Sequence, residues 1–362
     1  MKRKILHITP DFNYSCGRSK LVLLYLKYFG SKDEYETHFI TNGGDSLERL
    51  KETPSVKFKR ISFSTAFKNV TYYNSFYNSL KRYIVDNKIE LIHTHHRFPE
   101  LVSVKLAKEL DIKTITSAHS FLKGFRNLSF ASDKIISVSN SLTTYLKENF
   151  VVDDRITTLY NPVEEITENK NKLNELRRKL SLYPEQKIIL FMGKINYEKG
   201  FDKLIEAYKL VKMKIKSAIL IACGKIEEKD FQKLRKKLND PVLVIPPLNG
   251  NMFLYHICNL VVLPSKVESL SNIMLEAGIN KKPFIGSNTG GIAEFIEDGV
   301  NGYLINPEDE NEIAEKILFI LDNKDISEKL GKNLYKKVKE KCDYKNYFNK
   351  VEEIYNSLVE KK

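Results

Sequence analysis

Short apolar runs alternate with longer amphipathic stretches along the whole chain. Continuous apolar runs such as Lys4–Ile8 and Lys187–Met192 predict strands of a parallel sheet, because such strands are covered on both faces. Stretches such as Phe98–Leu110 and Phe201–Met213 place apolar residues at helical spacing, which predicts helices that pack on a sheet. Strands and helices that alternate in this way, with right-handed crossovers, predict an α/β protein with doubly wound sheets.

The alternation occurs twice, which fits two domains in a chain of 362 residues. Asn161-Pro162 interrupts the first alternation, and the polar segment Glu164–Lys172 has the composition of a linker. The sequence therefore predicts one Rossmann-like domain over residues 1–163 and a second over residues 164–343. Residues 344–362 carry apolar side chains at helical spacing and predict a final helix.

One strand–loop–helix junction in the second half has the features of an anion-binding site. The apolar run Leu260–Leu263 ends at Pro264, and a helical pattern begins near Leu270, with Ser271 as the predicted N-cap before Asn272. The first backbone N–H groups of such a helix point at the loop. In open parallel sheets, anionic ligands bind at this place.

Two carboxylates bracket this junction, Glu268 in the loop and Glu276 in the helix. Both would repel a phosphate, but carboxylates readily accept hydrogen bonds from hydroxyl groups. A sugar and a ribose offer such hydroxyls on either side of a diphosphate. On spacing alone, two solvated acids favoured by the helix dipole explain the pattern equally well.

The sequence from this junction onward resembles the carboxyl-terminal signature of retaining GT-B glycosyltransferases of family four. That signature has two Glu residues framing seven positions, then a strand, a Gly-Gly loop and a tail rich in Gly and Asn. The matching residues are Glu268, Glu276, Phe284-Ile285-Gly286, Gly290-Gly291, Glu294, Gly299, Asn301-Gly302 and Leu304. The match is specific because it continues over about forty residues. The resemblance implies two Rossmann-like domains that face one cleft, with the final helix crossing back to the N-terminal domain.

The resemblance extends to a lysine-containing loop after the strand Lys187–Met192. Family members have a Gly-Arg-Leu motif followed by Lys-Gly, and their Arg and Lys hold the donor diphosphate. Lys199 matches this pattern, whereas Lys194 replaces the Arg and keeps its charge without its planar, two-pronged donor. Both could also be ordinary surface lysines, although their place at a strand–helix junction favours a role in binding.

Three further positions are assigned through the same resemblance. Gly17 and Gly224 follow predicted strands, where a glycine lets the backbone approach a nucleotide closely. Cys16 and Arg18 depart from the small residues that the family has around Gly17. His119 ends a predicted strand and matches a family histidine that contacts the donor sugar.

The resemblance and the junction together give a set of predicted site residues. The predicted catalytic residues are Glu268, His119 and Lys199. The predicted nucleotide-sugar-binding residues are Gly17, Lys194, Lys199, Gly224, Leu270, Ser271, Asn272 and Glu276. Lys199, Lys194 and the helix start at Ser271 would stabilise the leaving diphosphate, Glu276 would hold the ribose, and Glu268 would hold the donor sugar.

A metal site is disfavoured by the sequence. His93, His95 and His96 are almost adjacent and have no evident fourth ligand, and the resemblance implies that His93 and His95 line the crevice. The chain has no two Asp residues two positions apart, the motif that metal-dependent transferases commonly use. We therefore expect no metal and no cofactor, with the nucleotide-diphosphate sugar as donor substrate.

The charge of the chain is +13 and uneven. Residues 1–162 hold 25 Lys and Arg against 16 Asp and Glu, a net of +9, and the remainder holds 34 against 30, a net of +4. No nucleic-acid-binding module accompanies this charge, so we expect no nucleic-acid partner. Ser62–Tyr83 mixes aromatic and basic residues and predicts either a patch for an anionic membrane or a surface helix whose aromatics pack inward.

Cysteine spacing and hydropathy bear on the compartment. The cysteines Cys16, Cys223, Cys258 and Cys342 are scattered without metal spacing and predict reduced thiols in a reducing cytosol. No apolar run approaches the roughly 20 residues of a membrane span. The basic and apolar amino terminus is too short for a signal peptide and predicts a first strand. We expect a cytoplasmic protein that binds peripherally to the inner face of the plasma membrane.

The predicted function is that of a retaining, metal-independent glycosyltransferase. The resemblance implies a UDP- or GDP-linked sugar as donor and a glycan or lipid-linked acceptor, in bacterial surface polysaccharide biosynthesis. Two alternatives remain open on the sequence: a nucleotide-sugar-binding protein without catalysis, and another GT-B enzyme such as an epimerase or a phosphorylase. Turnover of a nucleotide sugar would support the transferase, whereas binding without turnover would support the first alternative.

Overall fold

A computed structural model describes residues 2–63, 70–165, 169–226, 234, 242–247 and 251–359. The chain divides into two compact units, the first formed by Met1–Asn161 with Lys345–Lys362 and the second by Pro162–Tyr344. The sequence placed the corresponding boundaries after residues 163 and 343. Each unit contains one parallel sheet with helices, so the predicted α/β class with two Rossmann-like sheets is confirmed.

Among its described residues, the first unit contains seven strands and four helices before the linker. The strands are β1 Arg3–Thr9, β2 Tyr35–Thr41, β3 Lys57–Arg60, β4 Leu91–Thr94, β5 Lys113–Ala118, β6 Lys134–Ser137 and β7 Ile156–Thr158. The helices are α1 Gly17–Gly30, α2 Val70–Asn87, α3 Arg97–Leu110 and α4 Asn140–Asn149, with short 3-10 turns at Leu47–Glu52 and Asp153–Arg155.

These seven strands form one parallel sheet in the order β3-β2-β1-β4-β5-β6-β7. The central strands β1 and β4 are almost wholly buried, whereas the edge strand β3 is exposed along its length. Its Lys and Arg side chains keep that edge from pairing with another chain. The strand order reverses between β1 and β4, and ligands of open α/β sheets bind beside the carboxyl ends at such a point.

The second unit contains six strands and seven helices among its described residues. The strands are β8 Lys187–Met192, β9 Ala218–Cys223, β10 Val242–Ile245, β11 Leu260–Leu263, β12 Phe284–Ser287 and β13 Tyr303–Ile305. The helices are α5 Lys170–Lys179, α6 Phe201–Lys214, α7 Leu254–Ile257, α8 Asn272–Ile279, α9 Gly290–Phe295, α10 Glu310–Asp322 and α11 Lys324–Lys341, with a 3-10 turn at Asn251–Phe253.

These six strands also form a parallel sheet, in the order β10-β9-β8-β11-β12-β13. The strand order reverses between β8 and β11, the two strands that precede the predicted lysine loop and the predicted Glu268 loop. All four residues of β11 are buried, as expected for a continuous apolar run at the centre of a parallel sheet. The topology therefore brings two loops from distant parts of the sequence to one position.

The final helix, α12 Tyr344–Val359, packs on the first unit through its apolar face. Tyr347, Phe348, Val351 and Tyr355 are its buried residues, and their spacing is that of one helix face. Phe348 stacks on the ring of Tyr28 with 4.4 Å between ring centroids. This contact explains why residues far apart in sequence belong to one compact unit.

The aromatic segment Ser62–Tyr83 largely packs inward where the structure describes it. Residues 64–69, which include Phe67 and Lys68 of the predicted patch, lie outside the described part of the chain. Phe76 is fully buried, with its ring centroid 4.2 Å from that of Phe63. Lys81 forms an ion pair with Glu109 of α3. The inward-packing alternative is thus correct for Phe76, which offers no aromatic surface to a membrane.

Three sequence features that bear on the compartment have structural counterparts. The amino-terminal apolar patch forms β1, the buried central strand of the first sheet, as predicted. The four cysteines all lie in the described part of the chain and form no disulfide. Among the described residues, no helix has both the length and the apolar character that crossing a membrane requires.

Candidate functional site

The loop between β8 and α6 holds Lys199 at the start of a helix. Lys199 N–H donates to Asn196 Oδ1 at 2.9 Å, which fixes the turn before the helix. Gly200 adopts a left-handed φ of +66°, and a Cβ there would lie 1.8 Å from the carbonyl oxygen of Pro264. Only glycine fits this position, because the lysine loop packs directly on the end of β11. Lys194, at the beginning of the loop, is exposed.

Lys199 and Glu268 form an ion pair at this end of the sheet. Lys199 Nζ lies 2.6 Å from Glu268 Oε1, and the two side chains are only 20% and 11% exposed. Ser265 Oγ donates to the same carboxylate oxygen at 3.0 Å. A second tie joins the two loops, since Lys266 N–H donates to the carbonyl of Glu198 at 2.9 Å. A largely buried pair with these added hydrogen bonds is held in one geometry.

The helix start beside this pair has the predicted cap. Ser271 Oγ accepts a hydrogen bond from Met274 N–H at 3.1 Å, and Ser271 has the extended backbone of an N-cap. Leu270 is buried before the cap, and Asn272 is the first residue of α8. The structure thus collects Lys199, Glu268 and this helix start where the strand order reverses.

Glu276 lies one turn further along α8 and has a partner that the sequence did not reveal. Its side chain is buried, at 6% exposure, and its Oε2 accepts a hydrogen bond from Tyr255 Oη at 2.7 Å. Burial raises the pKa of Tyr255 well above its ordinary value, and the Glu276 carboxylate raises it further. The tyrosine therefore keeps its proton and donates to the carboxylate.

Two glycines near the site are required by packing between backbones. A Cβ on Gly291 would lie 2.2 Å from the carbonyl oxygen of Ser269, and Gly291 N–H donates to the carbonyl of Glu268 at 3.0 Å. Gly290-Gly291, which the sequence predicted as a loop, begins α9 and supports the loop that carries Glu268. A Cβ on Gly224 would lie 1.6 Å from the carbonyl oxygen of Gly193, so contact between adjacent strand ends already explains this glycine. Its predicted approach to a nucleotide stays a prediction.

In the first unit, Gly17 begins α1, beside an arginine held by its neighbours. Arg18 Nη2 lies 2.5 Å from Asp11 Oδ2, and Arg18 Nε donates to Thr9 Oγ1 at 3.1 Å. The guanidinium of Arg18, a departure from the family pattern, is thus paired with a carboxylate of its own unit. His119 follows the end of β5, and burial of its ring, followed by the charges of Arg18 and His96, lowers its pKa to about 3. His119 is therefore neutral at physiological pH.

Three buried histidines, His7, His93 and His95, form a cluster in the first unit, and the sequence did not identify His7 as a member. His7 on β1 pairs in register with His93 on β4, and His95, just after the end of β4, stacks on His93 with 4.4 Å between ring centroids. One nitrogen from each of the three lies within 4.8 Å of the others. His7 was missed because it lies on a different strand, far from His93 in sequence.

The histidine cluster is not arranged as a formed metal site. Both nitrogens of His93 are engaged, with Tyr355 Oη at 2.7 Å and Ser117 Oγ at 2.8 Å. His7 Nδ1 and His95 Nε2 lie 3.2 Å apart and share a hydrogen bond. Tetrahedral zinc brings ligand nitrogens to about 2 Å from the ion and usually takes four ligands. The observed contacts favour a packed group of neutral imidazoles, and burial lowers the pKa of His7 to about 3.

Two family models match the chain over most of its length. Residues 173–337 match the model described as Glycosyl transferases group 1, and residues 22–165 match Glycosyltransferase Family 4. The chain is 28% identical over 340 residues to an uncharacterized glycosyltransferase of Methanocaldococcus jannaschii, which covers 90% of this chain and 91% of that protein. It is 27% identical over 243 residues to the capsular polysaccharide biosynthesis glycosyltransferase CapM of Staphylococcus aureus. This match covers 64% of this chain and 63% of that protein.

Solved structures show the same fold. Anabaena HepE in complex with UDP-glucose matches with a TM-score of 0.85 at 17% identity, over 98% of this chain and 100% of that chain. At this identity the similarity concerns the fold alone.

Proposed function

Since this chain belongs to the family four glycosyltransferases and has the GT-B fold that its sequence predicts, we propose that it transfers a sugar from a nucleotide diphosphate with retention of anomeric configuration. The observation that carries the proposal is the Lys199–Glu268 pair beside the α8 helix start. This arrangement offers positive potential for a diphosphate and a carboxylate for sugar hydroxyls within one small region.

The chemistry requires stabilisation of the leaving diphosphate as its negative charge grows. Lys199 and the first N–H groups of α8 supply a fixed charge and fixed dipoles for this purpose, and Lys194 adds a second charge. Glu268 Oε1 holds the Lys199 ammonium at 2.6 Å. We propose that the diphosphate takes up part of this ion pair and that Glu268 then binds the donor sugar.

Other predicted residues have proposed roles around this centre. Glu276 binds the ribose hydroxyls, Leu270, Ser271 and Asn272 contact the nucleotide sugar through backbone and side chain, and Gly17 and Gly224 let the backbone approach it. His119, neutral at physiological pH, is suited to hydrogen-bond an uncharged sugar hydroxyl. We propose a front-side reaction in which the leaving phosphate aids deprotonation of the acceptor, with no metal ion.

The donor and the acceptor are proposed from the relatives. The solved structure of HepE holds UDP-glucose, and the name of CapM refers to capsular polysaccharide, which supports a UDP- or GDP-linked sugar and a glycan or lipid-linked acceptor. A role in surface polysaccharide biosynthesis would place the protein in the cytoplasm, at the inner face of the plasma membrane. Lysines rather than buried aromatics such as Phe76 would then provide the membrane attraction.

The test is incubation with a panel of UDP- and GDP-sugars and lipid-linked or soluble acceptors. The expected result is a glycosylated product whose anomeric configuration, read by NMR, is that of the donor, with a rate unchanged by EDTA. An inverted product contradicts the retaining mechanism, and a rate abolished by EDTA and restored by a divalent cation contradicts metal independence. Binding of a nucleotide sugar without turnover to any acceptor or to water contradicts the transferase assignment.

A further inference from the structure

Tyr255 and Glu276 are joined because two helices pack on neighbouring strands. Helix α7 packs on β8, helix α8 packs on β11 and β12, and β8 and β11 are adjacent in the sheet. The Tyr255 side chain is 0% exposed, and its hydroxyl lies 2.7 Å from Glu276 Oε2. One oxygen of the carboxylate is therefore held by a rigid group of the core.

A buried tyrosine hydroxyl can be satisfied by an acceptor whose burial costs less free energy than that of a carboxylate. A second buried tyrosine of the same unit, Tyr208, donates its hydroxyl to the backbone carbonyl of Ala218 at 3.1 Å. The acceptor of that hydroxyl is a neutral carbonyl. A carboxylate loses far more hydration than a carbonyl when it is buried, so its use at Tyr255 calls for a further function.

The donor hydrogen bond also restricts the carboxylate. A hydrogen bond from a neutral donor to a charged acceptor is stronger than one between neutral groups, and it fixes the rotation of the carboxylate about its last bond. A carboxylate that is fixed before a ligand binds loses less conformational entropy on binding. The N-cap at Ser271 fixes the helix that carries it.

We propose that Tyr255 is a positioning residue that holds the Glu276 carboxylate in the orientation that binds the vicinal hydroxyls of the nucleotide ribose. The inference rests on the proposed function, because it assigns Glu276 to the ribose. It adds a residue outside the sequence motif to the donor site. It also commits the ligand chemistry to a ribonucleotide with both hydroxyls present.

The test compares Tyr255→Phe with the matched control Tyr208→Phe, each of which removes one buried hydroxyl from the same unit. Isothermal titration with UDP and GDP gives the Kd, and steady-state kinetics give kcat and KM for the donor. Tyr255→Phe should raise the Kd of the preferred nucleotide about three- to tenfold, with kcat at saturating donor changed less than about twofold. Tyr208→Phe should lower Tm and leave the Kd unchanged.

Two further measurements separate positioning from loss of stability. In a Glu276→Gln background, Tyr255→Phe should add no further loss of affinity, because the hydroxyl acts through the carboxylate. The 2′,3′-dideoxy analogue of the preferred nucleoside diphosphate should bind the wild-type protein and Tyr255→Phe with equal affinity.

The outcomes are distinguishable. If the wild-type protein binds nucleotide but Tyr255→Phe does so with unchanged Kd, the positioning role is overturned and the proposed function stands. The positioning role is also overturned if Tyr208→Phe raises the Kd as much as Tyr255→Phe does. It is overturned as well if Tyr255→Phe weakens binding of the dideoxy analogue as much as binding of the ribonucleotide. A wild-type protein that binds neither UDP nor GDP overturns the proposed function and this inference together.

Discussion

The two sheets have the same kind of topology but carry different chemistry at the ends of their central strands. In the first unit, the region around β1 and β4 holds neutral histidines: six of the seven histidines of the chain lie in this unit, and His256 alone lies in the second. In the second unit, the ends of β8 and β11 carry the Lys199–Glu268 ion pair and a capped helix start.

This difference teaches where the fold places charge. A diphosphate requires fixed positive potential, and the second unit supplies it with Lys199 and helix dipoles. A neutral imidazole can donate or accept a hydrogen bond without adding charge, which suits uncharged hydroxyls. The same sheet architecture thus supports an ionic site in one unit and an uncharged polar site in the other.

The largest expected effect is a loss of folding stability of the protein at acidic pH. Buried histidines stay neutral in the folded protein, so the unfolded chain binds more protons once the pH falls below about 6.5, and the unfolding free energy decreases. Burial lowers the pKa of His7 to about 3. His7 alone should therefore cost on the order of 2 kcal/mol by pH 5, and the lowered pKa values of His93 and His95 add to this loss.

Urea unfolding followed by circular dichroism at pH 7 and pH 5 measures this loss. The variant His7→Phe should lose less stability between the two pH values than the wild-type protein. The comparison of the two proteins cancels other groups, including Glu100, whose pKa burial raises and which acts in the opposite direction. Equal losses in both proteins would contradict a neutral His7 in the folded protein.

The next effect concerns the charged end of the second sheet. Lys199→Ala removes the cation from the diphosphate and leaves the Glu268 carboxylate without its ion pair. We expect kcat/KM to fall about 100-fold or more. The matched control is Lys203→Ala, which removes a lysine of the first turn of α6, whose Nζ lies 2.7 Å from Glu310 Oε2. Similar rates for the two variants would contradict a special role of Lys199.

A smaller effect is expected where a glycine supports the Glu268 loop. Gly291→Ala places a Cβ 2.2 Å from the carbonyl oxygen of Ser269, and Gly331→Ala places one 2.1 Å from that of Lys281, away from the site. Both variants should lose about 2 kcal/mol of stability from overpacking. Only Gly291→Ala should also raise the KM for the donor. An equal change of KM in both would assign the effect to general destabilisation.

The smallest effect concerns the cap of α8. Ser271→Ala removes the acceptor for Met274 N–H and should cost about 1 kcal/mol of unfolding free energy. Because the orphaned N–H groups still point at the loop, donor KM should rise only about two- to threefold. Ser271→Asp restores a cap but adds a negative charge beside the diphosphate, so it should recover stability and worsen KM. Recovery of both by Asp would argue against an anion at this helix start.

The sequence was most informative where a local pattern decides the structure. Apolar runs predicted β1 and β11, and Ser271 was identified as an N-cap from its position before a helical pattern. These features depend on neighbours in sequence. The family motif likewise located Glu268 in the loop before α8 and Glu276 within α8.

What the sequence did not predict depends on contacts between distant residues. The Lys199–Glu268 pair joins residues 69 apart, and the Tyr255–Glu276 bond joins residues 21 apart. No periodicity or motif gives these pairs, because they exist only after parallel strands have aligned. The packing role of Gly291 was missed for the same reason, since a glycine in sequence does not reveal which backbone it approaches.

The central claim is that the charged strand ends of the second unit hold the donor diphosphate. Amide hydrogen exchange, followed by mass spectrometry with and without a saturating nucleoside diphosphate, tests it most directly. We predict strong protection in peptides that cover residues 193–200 and 265–278, and clearly weaker protection around His7, His93 and His95. Protection concentrated on the strand ends of the first unit, with residues 193–200 and 265–278 unchanged, would contradict the account.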